Sequence, residues 1–153
     1  VPAARRNDLI DAFNEFRPVI LHISGHGDAN TIVLEDDNGK TAEVDARLLL
    51  DLVSVAGDQL KVIVLNACES AVLAKKAIDL VDIAIGMNAS VGDDAARAFA
   101  VQFYSSLGAG VSLKRAFDQA KVAISANGST GSDIPELYVR KGINIDAYTV
   151  MPK

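Results

Sequence analysis

Two hydrophobic patterns alternate along the chain. Short runs of mostly apolar residues predict buried β-strands at 19–24, 61–66 and 81–87, with a last strand at 137–139. Apolar residues at helical spacing predict helices at 3–17, 46–56, 70–80, 93–107 and 113–126. This alternation predicts an α/β fold in which helices cover both faces of a mostly parallel sheet. In such folds the catalytic and ligand-binding residues lie at the carboxyl ends of the strands.

Local signals define several boundaries of these elements. Pro18 ends the first helix, whose apolar face is predicted to consist of Leu9, Ile10, Phe13 and Phe16. Asp45 and Ser112 are placed to cap the helices that follow them. The pair Asn38-Gly39 suits a hairpin turn between short strands at 32–34 and 41–44.

Composition narrows the class of protein. The chain has 153 residues, a formal net charge of −5, five Phe, three Tyr and no Trp. Its length suits one domain, residues 1–153, that buries about two-thirds of its surface. The acidic balance and the few aromatic residues argue against nucleic-acid partners, and no apolar run approaches the roughly 20 residues that cross a membrane. A single cysteine excludes an internal disulfide and indicates a reducing, cytoplasmic location.

His26 and Cys68 each come directly after a predicted strand. His26 lies in the predicted loop 25–28, and Cys68 follows the strand at 61–66. If these parallel strands are neighbours, about 4.8 Å apart, the two side chains meet at one edge of the sheet. An imidazole beside a thiol promotes the nucleophilic thiolate and can then protonate a leaving amine. The pair is a candidate catalytic dyad, and the alternative is an inert buried cysteine.

The neighbours of this pair have predicted roles of their own. Gly27 lacks a Cβ, so a substrate carbonyl can approach its backbone N–H, which forms a candidate oxyanion hole with the N–H of Cys68. Glu69 is expected to face solvent. Ser70 is expected to cap the next helix rather than to act as a second nucleophile.

The spacing of the two histidines raises the question of a metal. His22 and His26 are four residues apart, which would pair two metal ligands on a helix. The surrounding residues predict a strand and a loop instead, and no motif identifies further ligands for zinc. We therefore predict no metal site and interpret His22 as a strand histidine, on the same face as Ser24, that bonds a neighbour.

Several short motifs follow one another between residues 19 and 124. They are LHISGHG at 21–27, VLNACES at 64–70, IGM at 85–87 with GDDAA at 92–96, and Phe103-Tyr104 through Leu107 and Gly110 to 116–120. In this combination and order the chain resembles the caspase-like cysteine peptidases of clan CD, specifically their bacterial CHAT branch. The resemblance implies a caspase-like three-layer α/β/α sandwich and a Cys68–His26 dyad. It also implies cleavage of a protein or peptide substrate through an acyl-enzyme, without a cofactor.

The resemblance further implies which residues contact the substrate. In clan CD relatives the residue two before the nucleophile lines the P1 pocket, and here that residue is Asn66. Its neutral amide supplies no charge to select a basic P1 side chain, so Asp28, Asp93 or Asp94 would have to supply one. For Asp93 and Asp94 the alternative role is capping of the helix that begins there.

Two functions follow as hypotheses. The first is a cysteine endopeptidase that cleaves a protein partner as the effector of a bacterial signalling or defence system, with a sensor domain, repeat domain or activator outside this chain. The second is a catalytically inactive caspase-like binding or scaffold module. Family members usually begin with a strand and a helix for which residues 1–17 leave no room. Either the chain is a fragment of a longer protein whose first strand comes from another segment, or the sheet is trimmed in this protein. We expect the former, because a missing central strand would leave strand edges exposed.

Overall fold

The computed structural model of the protein describes residues 6–28, 30–35 and 41–150. Its helices are α1 (Arg6–Phe16), α2 (Ala46–Ser54), α3 (Ala71–Ala77), α4 (Asp93–Gly108) and α5 (Leu113–Ala126). Its strands are β1 (Ile20–Ser24), β2 (His26–Gly27), β3 (Thr31–Glu35), β4 (Thr41–Asp45), β5 (Val62–Asn66), β6 (Ile83–Met87) and β7 (Pro135–Val139), and a short 3-10 helix follows at Ile145–Ala147. The predicted alternation of strands and helices is confirmed.

The main sheet has the strand order β1-β5-β6-β7. The first three strands are parallel and β7 is antiparallel to β6, so the sheet is mostly parallel, as predicted. The register of β1 on β5 runs from Ile20 opposite Val62 to Ser24 opposite Asn66. The strands that precede the two candidate catalytic residues, β1 before His26 and β5 before Cys68, are therefore direct neighbours.

Helices cover both faces of this sheet. The strand β5 is buried along its whole length, and its side chains alternate between two hydrophobic cores. Ile63 and Leu65 belong to the core that contains buried residues of α1, α2 and α3. Val62 and Val64 belong to the core formed with α4 and α5. This arrangement is the predicted three-layer α/β/α sandwich, and burial on both faces explains why the strand sequences are apolar without alternation.

A second, smaller sheet has the order β2-β3-β4. The predicted hairpin is confirmed, since β3 and β4 are antiparallel, whereas its predicted turn at 36–39 lies outside the described residues. The prediction of a loop over residues 25–28 is wrong for His26 and Gly27, which pair with Val33 and Ile32. The chain also lies close to β3 just before this pair, since a Cβ on Gly25 would lie only 2.8 Å from the carbonyl oxygen of Val33.

Two helix starts follow their predicted caps. The Asp45 carboxylate accepts a hydrogen bond from the Leu48 N–H at 2.8 Å, at the start of α2. The Ser112 hydroxyl accepts one from the Arg115 N–H at 3.2 Å, at the start of α5. Both side chains satisfy a helix N–H that has no partner within the helix.

Other boundaries differ from the prediction. The helix predicted to reach Leu80 ends at Ala77, because the N–H groups of Leu80 and Val81 both bond back to the Ala77 carbonyl and close a turn. The following strand accordingly begins at Ile83 rather than at Val81. The predicted apolar face of α1 is buried only in part.

Leu9 and Phe13 of α1 are buried, whereas Ile10 and Phe16 are exposed.

In the part of the chain that the structure describes, β1 is the terminal strand of the main sheet. A further strand beside β1 stays a prediction. Among the described helices, none combines the length and the apolar character needed to span a bilayer.

Candidate active site

The structure brings the segments of His26 and Cys68 to the same edge of the main sheet. Ser24 and Asn66 are register partners at the ends of β1 and β5, and His26 and Cys68 each lie two residues beyond that pair. The backbones beyond the strands are also in contact. A Cβ on Gly27 would lie 3.3 Å from both the Ala67 Cβ and the Cys68 carbonyl oxygen.

The thiol of Cys68 is half-buried and lies against the loop between β6 and α4. Its Sγ accepts a hydrogen bond from the Val91 N–H at 3.4 Å, and the thiol also faces the Val91 carbonyl oxygen at 3.7 Å. The imidazole of His26 is exposed. Within the described residues no hydrogen bond joins the imidazole to Sγ. Catalytic hydrogen bonds often tighten only when substrate binds.

The backbone turns sharply just after Cys68. Glu69 has a φ of 57°, in the left-handed region that residues other than glycine rarely adopt. Its backbone N–H donates a hydrogen bond to the Ala89 carbonyl at 3.2 Å. Its side chain is exposed, as predicted. Backbone strain of this kind persists only where the surroundings hold it, and it clusters at functional sites.

The prediction that the Ser70 side chain caps α3 is wrong. Ser70 occupies the residue before the helix, but its side chain makes no capping hydrogen bond. The physical reason is its backbone, since φ −81° and ψ −1° are helical, whereas a capping residue is usually extended. Its hydroxyl instead contacts carbonyls at the end of β5 and an N–H of β6.

Asn66 is buried at the carboxyl end of β5, with 6% of its surface exposed. Its Nδ2 donates a hydrogen bond to the Ala96 carbonyl in α4 at 3.0 Å. Its Oδ1 is buried and has no hydrogen-bond partner among the described residues. Asn66 therefore ties β5 to the first turns of α4 and leaves one acceptor unused beside the candidate nucleophile.

The predicted acidic residues occupy two separate places. The Asp28 carboxylate accepts hydrogen bonds from the N–H groups of Asn30 at 2.8 Å and Thr31 at 2.9 Å, and so forms the turn between β2 and β3. Asp93 and Asp94 are exposed in the first turn of α4.

Neither Asp93 nor Asp94 is the capping residue of α4. That position is Gly92, which has no side chain to donate or accept. Both carboxylates still lie where the partial positive charge of the helix start favours them. Asp94 is 3.8 Å from Arg97, and because both side chains are exposed this ion pair contributes little stability.

His22 is bonded to a neighbour, as predicted. Its Nδ1 lies 2.6 Å from the hydroxyl of Tyr104, and the two rings pack edge to face. Burial lowers the pKa of His22 and raises the pKa of the Tyr104 hydroxyl, so both groups are held in their neutral forms. Among the described residues, no group of three or more His, Cys, Asp or Glu side chains is arranged to hold a metal ion.

Two contacts at this site were not predicted from the sequence. The Val91 contact to Sγ uses only backbone atoms, which leave no signature in residue identity. The contacts of Ser70 did leave a signal. Ser70 directly precedes the buried positions Ala71, Leu73 and Ala74, and a buried polar residue must find hydrogen-bond partners inside the protein.

Comparisons with known proteins define the class. The order of the strands and the covering helices correspond to the caspase-like α/β fold of cysteine peptidases. The chain belongs to the CHAT domain family, whose family model matches residues 1–135. No curated protein sequence matches the chain.

A solved structure shares the fold. It is a secreted C11 cysteine protease from Bacteroides thetaiotaomicron, determined by X-ray in complex with an irreversible peptide inhibitor. The TM-score is 0.63 at 13% sequence identity, and the match covers 88% of this chain and 44% of that protease. This chain therefore spans less than half of the protease that it resembles.

Proposed function

We propose that the protein is a cysteine endopeptidase that cleaves a protein partner through a Cys68–His26 dyad. One observation carries the proposal. β1 and β5 are parallel neighbours whose register ends at Ser24 opposite Asn66, and His26 and Cys68 each follow two residues later along the chain. The close approach of Gly27 to the Ala67–Cys68 segment supports the same conclusion, because it brings the residue after His26 next to the backbone of Cys68.

The proposed reaction has two steps. The Cys68 thiolate attacks the scissile carbonyl carbon, and the N–H groups of Gly27 and Cys68 stabilise the oxyanion. His26, as imidazolium, protonates the leaving amine while the C–N bond breaks, and a thioester acyl-enzyme remains. Water then attacks the thioester, His26 accepts its proton, and the S–C bond breaks to release the carboxylate product and the thiolate. No cofactor takes part.

Asn66 is the proposed P1-pocket residue. Its Oδ1 has no partner among the described residues but is buried, so it can accept a hydrogen bond from a P1 side chain only after the surrounding residues move apart. The neutral amide has no charge to select Lys or Arg. A basic preference would rest on Asp28, Asp93 or Asp94. The turn contacts of Asp28 engage one of its carboxylate oxygens, while Asp93 and Asp94 have exposed carboxylates.

The proposed biological role is that of an effector in a bacterial signalling or defence system, acting in the cytoplasm. A sensor domain, a repeat domain or an activator outside these residues would control it. The family assignment supports this role.

The test uses peptidyl acyloxymethyl ketones with Leu, Asn or Lys at P1. Sγ forms a bond to the ketone methylene and a carboxylate leaves, so Cys68 becomes covalently labelled. We expect labelling of the wild-type protein and none of Cys68→Ala, while His26→Ala is labelled at least about 100-fold more slowly because it lacks its acid–base group. His22→Gln is the matched control and is expected to keep wild-type labelling, since His22 bonds Tyr104 instead.

The second candidate function is an inactive binding module. It is favoured by the absence, within the described residues, of a hydrogen bond between His26 and Cys68. The rate of Cys68 alkylation against pH separates the two functions, and because Cys68 is the sole cysteine the signal is unambiguous. An alkylation curve with its midpoint at about pH 8.5, the value of an ordinary thiol, in both wild type and His26→Ala would refute the peptidase and support the binding module.

A further inference from the structure

Ser70 is fully buried between the end of β5 and the start of α3. Its hydroxyl oxygen lies 2.8 Å from the Leu65 carbonyl and 2.7 Å from the Ala67 carbonyl, and it accepts a hydrogen bond from the Met87 N–H at 3.1 Å. One hydroxyl thus shares its proton between two carbonyls and offers its lone pairs to an amide. All three partners are backbone atoms.

These partners lie where two strands of the sheet part. The register pairs of β5 and β6 end at Val64 opposite Ile85, although both strands continue toward the carboxyl edge. Beyond that pair, Ser70 connects the Leu65 carbonyl of β5 to the Met87 N–H of β6. The hydroxyl therefore links the two strands beyond their last register pair, close to the point where the chain leaves β5 toward Cys68.

The turn that carries Cys68 needs such support. Glu69 is held at φ 57°, which costs free energy for a residue with a Cβ. The Glu69 N–H is tied to the Ala89 carbonyl on one side of the turn. The bonds of Ser70 to the Leu65 and Ala67 carbonyls tie the other side to β5. The nucleophile thus lies between two anchored points.

We propose that Ser70 is a positioning residue for the Cys68 nucleophile. Its hydroxyl holds the turn at 67–70 on the ends of β5 and β6, maintains the left-handed backbone at Glu69, and so fixes the position of Sγ. The inference rests on the proposed peptidase function. A second nucleophile is not an alternative role for Ser70, because its hydroxyl is inaccessible and already bonded.

The experiment compares two buried serines. Ser70→Ala removes the bridging hydroxyl, and Ser106→Ala is the matched control. Ser106 is buried in α4, and its hydroxyl accepts a hydrogen bond from the Gln102 side chain at 2.9 Å, away from the turn. Two probes of Cys68 are measured on each variant. Iodoacetamide forms an S–C bond and releases iodide, and a peptidyl acyloxymethyl ketone requires in addition an aligned site.

Ser70→Ala is expected to slow labelling by the peptidyl ketone about 10- to 100-fold, since a displacement of about 1 Å at a reacting group has an effect of that size. The iodoacetamide rate at high pH, where every thiol is ionised, is expected to stay within about threefold of wild type. Ser106→Ala is expected to leave both rates unchanged. Unchanged peptidyl-ketone labelling of Ser70→Ala would overturn the proposal, as would an equal loss in Ser106→Ala.

A second variant separates position from stability. Ser70→Thr keeps the hydroxyl but adds a methyl group to a filled site, so it destabilises the fold by overpacking. We expect Ser70→Thr to be labelled faster than Ser70→Ala, even if the two unfold at the same urea concentration. Equal labelling of two equally stable variants would show that only stability matters and would overturn the inference.

Failure of the peptidase proposal gives a different pattern. A folded wild-type protein that no peptidyl ketone labels would refute the peptidase, and hydrogen exchange of the backbone amides around the turn then tests Ser70 alone. In Ser70→Ala the N–H groups of Met87 and Glu69 are expected to exchange faster than in wild type, because Met87 loses its acceptor and the turn is no longer held on β5 and β6. Unchanged exchange of both amides would overturn the role of Ser70.

Discussion

Gly86→Ala tests how tightly α3 is packed behind the candidate active site. Gly86 is buried in β6, and a Cβ there would lie 2.7 Å from the Ala71 Cα, 2.9 Å from the Ala71 nitrogen and 2.8 Å from the Ala74 Cβ. Two of these atoms belong to the backbone of α3. The side chain of alanine can therefore be accommodated only if the whole helix moves away from the sheet.

The magnitude follows from these contacts. Carbon atoms pack at about 3.5 Å or more, so α3 must move by about 0.8 Å. Overpacking of a buried site costs about 1–3 kcal/mol, and backbone contacts place this substitution at the upper end. Replacing a strand glycine restores about 1 kcal/mol through the lower entropy of the unfolded chain. The net expectation is a loss of about 2 kcal/mol in the free energy of unfolding, or about 4–8 °C in Tm.

Urea unfolding followed by circular dichroism measures this loss. Gly108→Ala is the matched control, because Gly108 is the last residue of α4 and a Cβ there would meet no atom within 4 Å. We expect the control to be unchanged or up to about 1 kcal/mol more stable, since alanine favours the helix. A Gly86→Ala protein within about 0.5 kcal/mol of wild type, with Gly108→Ala behaving as expected, would refute the packing argument.

Four further predictions concern stability. Tyr104→Phe removes the hydroxyl bonded to His22 and is expected to cost about 1–2 kcal/mol in urea unfolding, because the buried ring nitrogen loses its partner. Because burial lowers the pKa of His22, the unfolded chain binds a proton at a higher pH than the folded protein does. The free energy of unfolding is therefore expected to fall as the pH drops below 6.5, and His22→Gln should lack this pH-dependent loss between pH 8 and 5. Asn66→Asp is expected to lower the free energy of unfolding by about 3 kcal/mol at pH 7, because a buried carboxylate would face the Ala96 carbonyl. Urea titrations should show that this loss shrinks toward pH 4, where the carboxylate is protonated. A loss that does not change with pH would contradict the prediction. Asp45→Ala removes the cap of α2 and is expected to cost about 1 kcal/mol, whereas Asp51→Ala on the exposed face of the same helix should cost less than about 0.5 kcal/mol.

Much of the fold could be predicted from the sequence because its signals are local. Whether residues 62–66 form a buried strand depends on their own apolar character, and whether Asp45 begins a helix depends on an N–H three residues away. The alternation of such elements was enough to predict the α/β class. The same local pattern placed His26 and Cys68 just beyond the ends of two strands.

The local pattern was less informative where a contact from elsewhere decides the structure. Gly25–Asp28 has the composition of a loop, yet His26 and Gly27 form a strand because β3 lies beside them. Ile10 and Phe16 follow helical spacing, yet both are exposed in the structure. Ser70 has the residue type and position of a helix cap, yet its helical backbone directs the hydroxyl elsewhere.

The amino-acid sequence by itself therefore determined most of the elements, their order, the layers they form and the two residues that could act as a dyad. Only the tertiary structure decided that β1 and β5 are neighbours, that Ser70 bridges β5 and β6, and that His22 meets Tyr104, 82 residues away along the chain. The physical reason is the range of the interactions. Helix caps and hydrophobic periodicity act over a few residues, whereas a hydrogen bond between distant segments forms only after the packing of the whole domain has offset the entropy of bringing them together.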